Sequence, residues 1–293
     1  MEPLIADPEG RDALRLPRRR DRRLAVHDVR MGPFDFLATI GCSLSEVVAE
    51  RNSALGKVMV PTRRLRHELV VIEAMDECMP TLSPERAGRL ASSLETKRAD
   101  LSRHRWNAVW LDADLERFLS FGPASLIGGS DSRDGPAQLM RAARAVAANH
   151  VSEMESAFAE LRDDAAMGST LILVDRVGHE FERIAGLIGQ HPVERCGREE
   201  RLLAQVFRDR FLPLQVELGD LSRIGMDFVE AFDALYVASS TGVRGMEAMG
   251  AFHEAVTGSQ QTPGVWGRFH QAMRAHAVAW APILEECGVI PRV

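Results

Sequence analysis

The chain has 293 residues, of which 45% are hydrophobic and 27% charged, and its formal net charge is −6. This composition is typical of a globular protein long enough to bury a substantial core, and the negative charge argues against binding to nucleic acid. No run of eighteen apolar residues is present, so the sequence predicts no membrane-spanning helix. The start of the chain lacks the apolar centre of a signal peptide. We therefore expect a cytoplasmic protein unless a targeting segment has been removed.

The first 32 residues are predicted to form an extended, arginine-rich arm. Prolines and glycines interrupt every helical stretch in 1–32, and residues 18–23 hold five arginines and one aspartate. Such a run either contacts an anionic surface or, more usually, is solvated or paired with carboxylates. We interpret 33–293 as one helical domain, in which the stretch 122–136, rich in Gly, Ser and Pro, is a loop or a subdomain boundary.

Residues 43–78 are predicted to form a hairpin of two helices. Ser43 and Glu46 have the spacing of a capping box, and Gly56 lies in the break that follows the first helix. Pro61 suits the first turn of the second helix, because a proline has no N–H and none is needed there. Apolar residues then recur on one face of this helix as far as Met79.

Helical periodicity continues through the rest of the chain. The predicted helices are Pro84 to about Trp110, Asp112 to Phe121, Ala137 to Gly168, Thr170 to Ile188, 203–221 with a kink at Pro213, 224–238, and 266–287 before Gly288. Gly168 is expected to end its helix, and Ser169 or Thr170 to cap the next. No segment keeps the alternation of a β-strand. The predicted fold class is therefore all-α, an antiparallel bundle of about eight to ten helices with the N-terminal arm.

The sequence contains no catalytic signature. Three His-Glu pairs, at 67, 179 and 253, lack the second histidine that a zinc protease needs four residues later. Nucleophile-elbow, phosphate-loop and dinucleotide motifs are missing as well. His276 lies on the apolar face of the last helix, where a hydrogen-bonded core histidine is commoner than a catalytic one. We therefore predict no catalytic residue, no metal site and no cofactor.

Charged and polar side chains concentrate around the turn of the predicted hairpin. They are Glu50, Arg51, Asn52, Arg63, Arg64, His67 and Glu68. A metal site is not expected, because the Glu-x-x-His pairs of helical di-iron proteins are missing. We interpret the cluster as ion pairs that fix the turn. The alternative is an anion-binding site, because arginine pairs well with carboxylate and phosphate groups.

The four cysteines, Cys42, Cys78, Cys196 and Cys287, do not have the spacing of zinc ligands. Each lies beside a predicted helix end, and Cys42 and Cys78 lie at neighbouring ends of the hairpin. We predict two disulfides, Cys42–Cys78 and Cys196–Cys287. Four buried thiols in a cytosolic protein are the alternative.

Several stretches of the chain resemble a known family. The most specific is DFLATIGCSLSEVVAERNSALGKVMVPTRRLRHEL at 35–69, and the likeness continues in 97–110, 195–221 and 269–288. From about Leu16 onward the chain resembles the uncharacterised proteobacterial family of predicted lipoproteins named domain of unknown function 3080. The resemblance implies a periplasmic location, disulfides, and tethering by an N-terminal lipid anchor absent from this chain. It implies no activity.

Two functional hypotheses follow. The preferred one is a non-enzymatic protein of the cell envelope, a helical scaffold or binding protein for an unknown envelope protein. The alternative is a hydrolase or binding protein for an anionic envelope ligand, such as a phospholipid head group or a peptidoglycan fragment. It would use the Arg-rich hairpin for recognition and His67 or His276 as the acid–base group. Neither hypothesis involves nucleic acid, and membrane contact is expected only through the lipid anchor.

Overall fold

The structure is a computed structural model that describes residues 11–27, 36–37, 39–52, 58–120, 134–164, 167–190 and 195–289. Within these ranges the chain forms helices and no β-strand, apart from an isolated bridge between Gly258 and Pro263. The α-helices are α1 Arg19–Arg22, α2 Leu44–Asn52, α3 Pro61–Cys78, α4 Pro84–Trp110, α5 Ala113–Leu119, α6 Gly135–Ala147, α7 Val151–Glu160, α8 Met167–Gly189, α9 Arg198–Val206, α10 Leu214–Ser240, α11 Glu247–Thr257 and α12 Val265–Glu286. The predicted all-α helical bundle is confirmed. The described residues hold twelve α-helices rather than eight to ten, because several helices have only one to three turns.

The main core lies among the long helices, where α8 packs along α12 and α10 packs along α6. Two tryptophans of α4, Trp106 and Trp110, are fully buried in it. The ring of Trp110 meets Phe232 of α10 edge-on at 5.9 Å between centroids, and its N–H donates to Ser239 at 3.0 Å. Aromatic rings bury large areas and prefer such tilted contacts, so this group fixes α4 against α10.

Two smaller cores lie beside the main one. The hairpin core joins α2, α3 and α4 through Leu44, Val71, Ala74, Met75, Cys78, Leu90 and Leu94. The C-terminal core joins α9 and α12 through Ala204, Phe207, Trp280, Ile283 and Leu284. Each small core carries one disulfide, Cys42–Cys78 in the first and Cys196–Cys287 in the second. Both predicted pairings are confirmed.

Residues 11–27 of the predicted arm, which we call the N-terminal segment, pack against α4. Arg22 is buried and donates to the carbonyl oxygen of Trp110 at 2.7 Å, while Trp106 Nε1 donates to the carbonyl oxygen of Arg22 at 2.7 Å. Asn107 satisfies the backbone of Leu24 on both sides, accepting from its N–H and donating to its C=O. Within residues 11–27 the predicted arm contains a 3₁₀ turn, Arg11–Leu14, and the short helix α1, and its backbone uses α4 side chains as partners.

The arginine run of this segment is partly paired with a carboxylate, as is usual for such a run. Arg22 lies 3.0 Å and Arg19 lies 3.6 Å from Glu116 on α5. Leu14, before the run, is buried in the main core. The segment is therefore held at both ends of the run by groups of the bundle.

The long helix predicted from Ala137 to Gly168 is wrong. The chain breaks between α6 and α7, where Asn149 adopts a positive φ of 57°, a conformation that asparagine tolerates better than most residues. Gly168 does not end a helix but lies in the first turn of α8. A Cβ at this position would come within 2.4 Å of the carbonyl oxygen of Leu119, so the glycine allows α8 to approach the end of α5.

Other predicted boundaries differ by a few residues or lie outside the described ranges. The starts at Pro61 and Pro84 are confirmed, although Ser83 makes no side-chain cap bond. Before Pro213 the chain forms a π-helical turn, Phe207–Phe211, instead of a simple kink. The predicted 224–238 helix is part of the longer α10. Residues 53–57, in the hairpin turn, and 121–133, in the predicted loop, lie outside the described residues.

Candidate functional site

A cleft of about 480 Å³ opens where the N-terminal segment crosses α3 and α4. We call it the Arg64–His104 cleft. It is lined by Arg19, Arg23, Leu24, Ala25, Val26, Val58, Met59, Val60, Pro61, Arg64, His104, Asn107 and Leu111. Its volume lies in the range of pockets that hold small ligands.

Three local features of the sequence build this cleft. Pro61 starts α3 directly after Val60, which is extended, and Arg64 lies one turn inside the helix. His104, Asn107 and Leu111 follow at helical spacing along and just beyond α4, and therefore face the same side. The side-chain amide of Asn107 bonds the backbone of Leu24 and so holds the N-terminal segment as the other wall of the cleft.

The structure brings Arg64 and Glu68 of the predicted cluster together and adds Lys97 from α4. Glu68 is buried and accepts a hydrogen bond of 2.6 Å from Lys97 Nζ. Arg64 Nε lies 3.4 Å from the other carboxylate oxygen of Glu68, and it is buried without a hydrogen-bond partner among the described residues. Arg64 thus lies against the buried ion pair between Glu68 and Lys97.

The charges around Glu68 set the protonation of two groups. Burial by itself would raise the pKa of Glu68, but the cations Lys97 and Arg64 outweigh burial and lower it. Burial lowers the pKa of His104; the Glu68 carboxylate opposes this effect, whereas the cations Arg64 and Lys97 add to it. The cleft therefore presents a neutral imidazole beside a guanidinium, above an ionised carboxylate.

The remaining residues of the predicted cluster do not meet at this point. His67 is buried on the side of α2, where its Nε2 lies 3.0 Å from the carbonyl oxygen of Val47. Glu50 and Arg63 are exposed, and Arg51 has an interaction of its own. The side chain of Asn52 lies outside the described part of the structure. His67 and Glu68 of the predicted cluster are thus buried, and Arg64 is partly exposed.

The cleft has the chemistry of an anion-binding site. Three arginines and one histidine line it, and no carboxylate is among its lining residues. Val60 and Pro61, at the start of α3, also line it. A helix N-terminus adds positive potential to its surroundings. Together these groups favour a carboxylate or phosphate over a neutral or cationic group.

His276, the other candidate acid–base group, lies outside this cleft. Its Nε2 accepts a hydrogen bond of 2.9 Å from Trp280 Nε1, and its ring lies 4.7 Å from that of Phe181 and 5.1 Å from that of Phe211. Burial lowers its pKa. It is a neutral, hydrogen-bonded histidine in an aromatic setting.

Comparison with known proteins gives one family. A family described as "Protein of unknown function (DUF3080)" matches residues 6–291, nearly the whole chain. The chain belongs to this family. Searches of curated proteins and of solved structures find no match. The described helices include none long and apolar enough to cross a membrane, and the described residues contain no group of three or more potential metal ligands.

Sequence reasoning missed two residues of the site that come from α4, Lys97 and His104. Both lie on the stripe that Leu90, Leu94 and Leu101 otherwise make apolar. Polar residues at apolar positions of a helix are rarely buried without a partner. That irregularity was the available signal, and it marks the place where α4 meets Glu68.

Proposed function

We propose that this DUF3080 protein is a non-enzymatic binding protein of an oxidising compartment outside the cytoplasm, and that it holds a small anionic ligand in the Arg64–His104 cleft. The observation that carries the proposal is the position of Arg64. Its guanidinium lines the cleft with 27% of the side chain exposed, and no carboxylate is among the lining residues, although its buried Nε lies 3.4 Å from Glu68 below the cleft. A carboxylate or phosphate in the cleft would accept from the terminal N–H groups of this guanidinium.

The lining residues support binding more than catalysis. None of them carries a hydroxyl, a thiol or a carboxylate, which are the side-chain groups that most often act as nucleophiles. His104 is the one titratable lining residue whose ordinary pKa is near neutrality. A single neutral histidine can accept a hydrogen bond or a proton, but it has no partner group in the lining with which to activate water.

The cysteines support a compartment outside the cytoplasm. The two disulfides use all four cysteines of the chain, and such bonds persist in oxidising compartments. We propose the periplasm, as the family resemblance implies, with a lipid anchor as the proposed attachment. A protein that only binds its ligand there fits the scaffold or binding role expected from the sequence.

Isothermal titration with inorganic phosphate and with acetate tests the proposal. Arg64→Gln should weaken binding of the anion about 10- to 100-fold, because a hydrogen bond to a charged group contributes about 1.5–3 kcal/mol. Arg63→Gln is the matched control, since Arg63 is the preceding residue on α3, is exposed and does not line the cleft. If neither anion binds, or if both variants lose binding equally, the cleft is not the site.

A further inference from the structure

The Arg64–His104 cleft is apolar over most of its lining. Eight of its thirteen residues are apolar: Leu24, Ala25, Val26, Val58, Met59, Val60, Pro61 and Leu111. Two of them leave large fractions of their surface in solvent, 75% for Val58 and 54% for Val60. Apolar side chains that line a concave surface without a partner are typical of ligand pockets and interaction sites.

The polar lining residues divide into occupied and available groups. Asn107 uses its amide on the backbone of Leu24, and Arg19 donates to the carbonyl oxygen of Leu111 and lies near Glu116. The side chains of Arg23, Arg64 and His104 make no hydrogen bond with another described residue, although Arg64 Nε lies 3.4 Å from Glu68. Few groups are thus left to bind charge, compared with the apolar surface around them.

The basic side chains are few and lie at separate points of the cleft. Arg64 and His104 lie beside Glu68, whereas Arg19 donates to the carbonyl oxygen of Leu111, seven residues beyond His104. Seven residues of helix rise about 10 Å. The apolar residues Val58–Pro61 line the cleft as well. A bare phosphate bound at Arg64 would leave most of the apolar lining in contact with water.

We propose that the ligand of this cleft is an amphiphilic anion, with one carboxylate or phosphate group at Arg64 and His104 and an apolar chain of several carbons along Val58–Pro61 and Leu111. This inference rests on the proposed function and deepens it by naming the ligand class. Each buried methylene should then tighten binding about threefold to fourfold, which corresponds to about 0.8 kcal/mol per CH₂. The charged end gives orientation, and the apolar end gives most of the affinity.

A homologous series of probes measures the two parts separately. The oxidised full chain is titrated with acetate, butanoate, hexanoate and octanoate, all monomeric in solution, and with octanol and octyl phosphate. We expect Kd to fall about 10-fold or more from hexanoate to octanoate. We expect octyl phosphate to bind far more tightly than inorganic phosphate, and octanol to bind at least 10-fold more weakly than octanoate.

Variants assign these effects to the cleft. Arg64→Gln should remove the advantage of octanoate over octanol. Arg23→Gln should reduce the same advantage, and because Arg23 is exposed, this substitution should leave the fold intact. Val58→Ser should reduce the gain per methylene more than it changes acetate binding. Val278→Ser is its matched control, because Val278 is also a highly exposed valine, 73%, but lies on α12 away from the cleft.

The outcomes distinguish failure of this inference from failure of the proposed function on which it rests. If phosphate and acetate bind as tightly as octyl phosphate and octanoate, the proposal of an amphiphilic ligand is wrong, but the proposal that the cleft binds an anion is retained. If octanol binds as well as octanoate, or if no anion binds, both proposals fail. Competition by phosphatidylglycerol vesicles for bound octanoate would identify the source as a bilayer lipid, and its absence would identify a dissolved amphiphile. Both results are consistent with the same cleft chemistry.

Discussion

The hairpin core and the C-terminal core each lie beside titratable side chains, and they accommodate them by different chemistry. Both lie beside the main core and both carry a disulfide. Next to the aliphatic hairpin core, Glu68 and Lys97 are kept charged and paired. Next to the aromatic C-terminal core, His276 is kept neutral by burial and accepts from Trp280. A small core thus tolerates a titratable group either by pairing its charge or by preventing it from becoming charged.

Removing the disulfides should produce the largest losses of stability and should show which of the two cores depends more on its bridge. On the loop-entropy relation, the 91-residue separation of Cys196–Cys287 corresponds to about 4.6 kcal/mol and the 36-residue separation of Cys42–Cys78 to about 3.8 kcal/mol. We expect the two double Cys→Ser variants to lose stability in that order in urea denaturation. A larger loss at Cys42–Cys78 would show that native packing, rather than loop length, decides how far each core depends on its bridge.

Breaking the ion pair beside the hairpin core should have the next largest effect. Glu68→Ala leaves Lys97 without its partner, and breaking a buried pair costs about 3–5 kcal/mol. We expect a loss of about 3 kcal/mol, near the lower limit, because 17% of the Lys97 side chain remains exposed. Glu50→Ala is the control and should change the free energy of unfolding by less than about 0.5 kcal/mol, since Glu50 is exposed. Equal losses in the two variants would refute a role for the buried pair.

In the C-terminal core, Trp280→Phe tests the hydrogen bond to His276. The substitution keeps a large ring but leaves the buried Nε2 of His276 without its donor. A buried acceptor that loses its partner costs about 1–3 kcal/mol, so we expect a loss of about 2 kcal/mol in thermal or urea unfolding. If Trp280→Phe does lose stability, the double variant Trp280→Phe/His276→Phe should recover part of the loss, because it also removes the unpaired acceptor. An unchanged stability in Trp280→Phe would mean that packing alone holds the histidine.

The smallest effect is a difference in pH dependence between the cores. The pKa of His276 is lowered in the folded protein, so below the ordinary value of about 6.5 the unfolded chain binds a proton that the folded protein does not. Stability should therefore fall as the pH drops below about 6.5, by at most about 1.4 kcal/mol per pH unit for this group. His276→Phe should reduce this slope, whereas His179→Gln, at an exposed position of α8, should leave it unchanged.

Glu68 acts at lower pH, in the other core. Its pKa is lowered in the folded state, so its contribution is complete above the ordinary value of about 4.3 and is lost as the pH falls through its folded value. We expect Glu68→Gln to flatten the stability profile below about pH 4.3. Burial lowers the pKa of His104 and the Glu68 carboxylate opposes this effect, so the comparison is made in the acid range alone. A variant that kept the slope of the original protein below pH 4.3 would show that another carboxyl group is responsible.

The parts of the fold that sequence predicts are those in which local signals decide. Pro61 and Pro84 mark helix starts, and Cys42 and Cys78 lie at neighbouring hairpin ends, so these elements and the first disulfide follow from spacing. The break at Asn149 was missed because the apolar stripe of α6 continues in phase into α7. Periodicity reports which side of a helix is apolar, but a single left-handed residue between two helices does not disturb it.

The candidate site was predicted in part for the same reason. Arg64 and Glu68 are one turn apart on α3, so their proximity is local. Lys97, His104 and the N-terminal segment join them only through tertiary packing, and nothing in the spacing of Arg22 or Leu24 indicates that Trp110 and Asn107 will be their partners. The cleft exists because three separate stretches of chain meet, and this is the level at which one sequence is least informative.

The connectivity of the two disulfides affects how the protein can mature. Each bridge joins cysteines that are neighbours along the chain, and the two loops do not interleave. A chain made from its N-terminus presents Cys42 and Cys78 to an oxidant before Cys196 has appeared. The first bond can therefore form with no competing thiol, and the last two cysteines then have only each other. Oxidation in order of synthesis gives the native pairing directly, without a later exchange between wrongly joined cysteines.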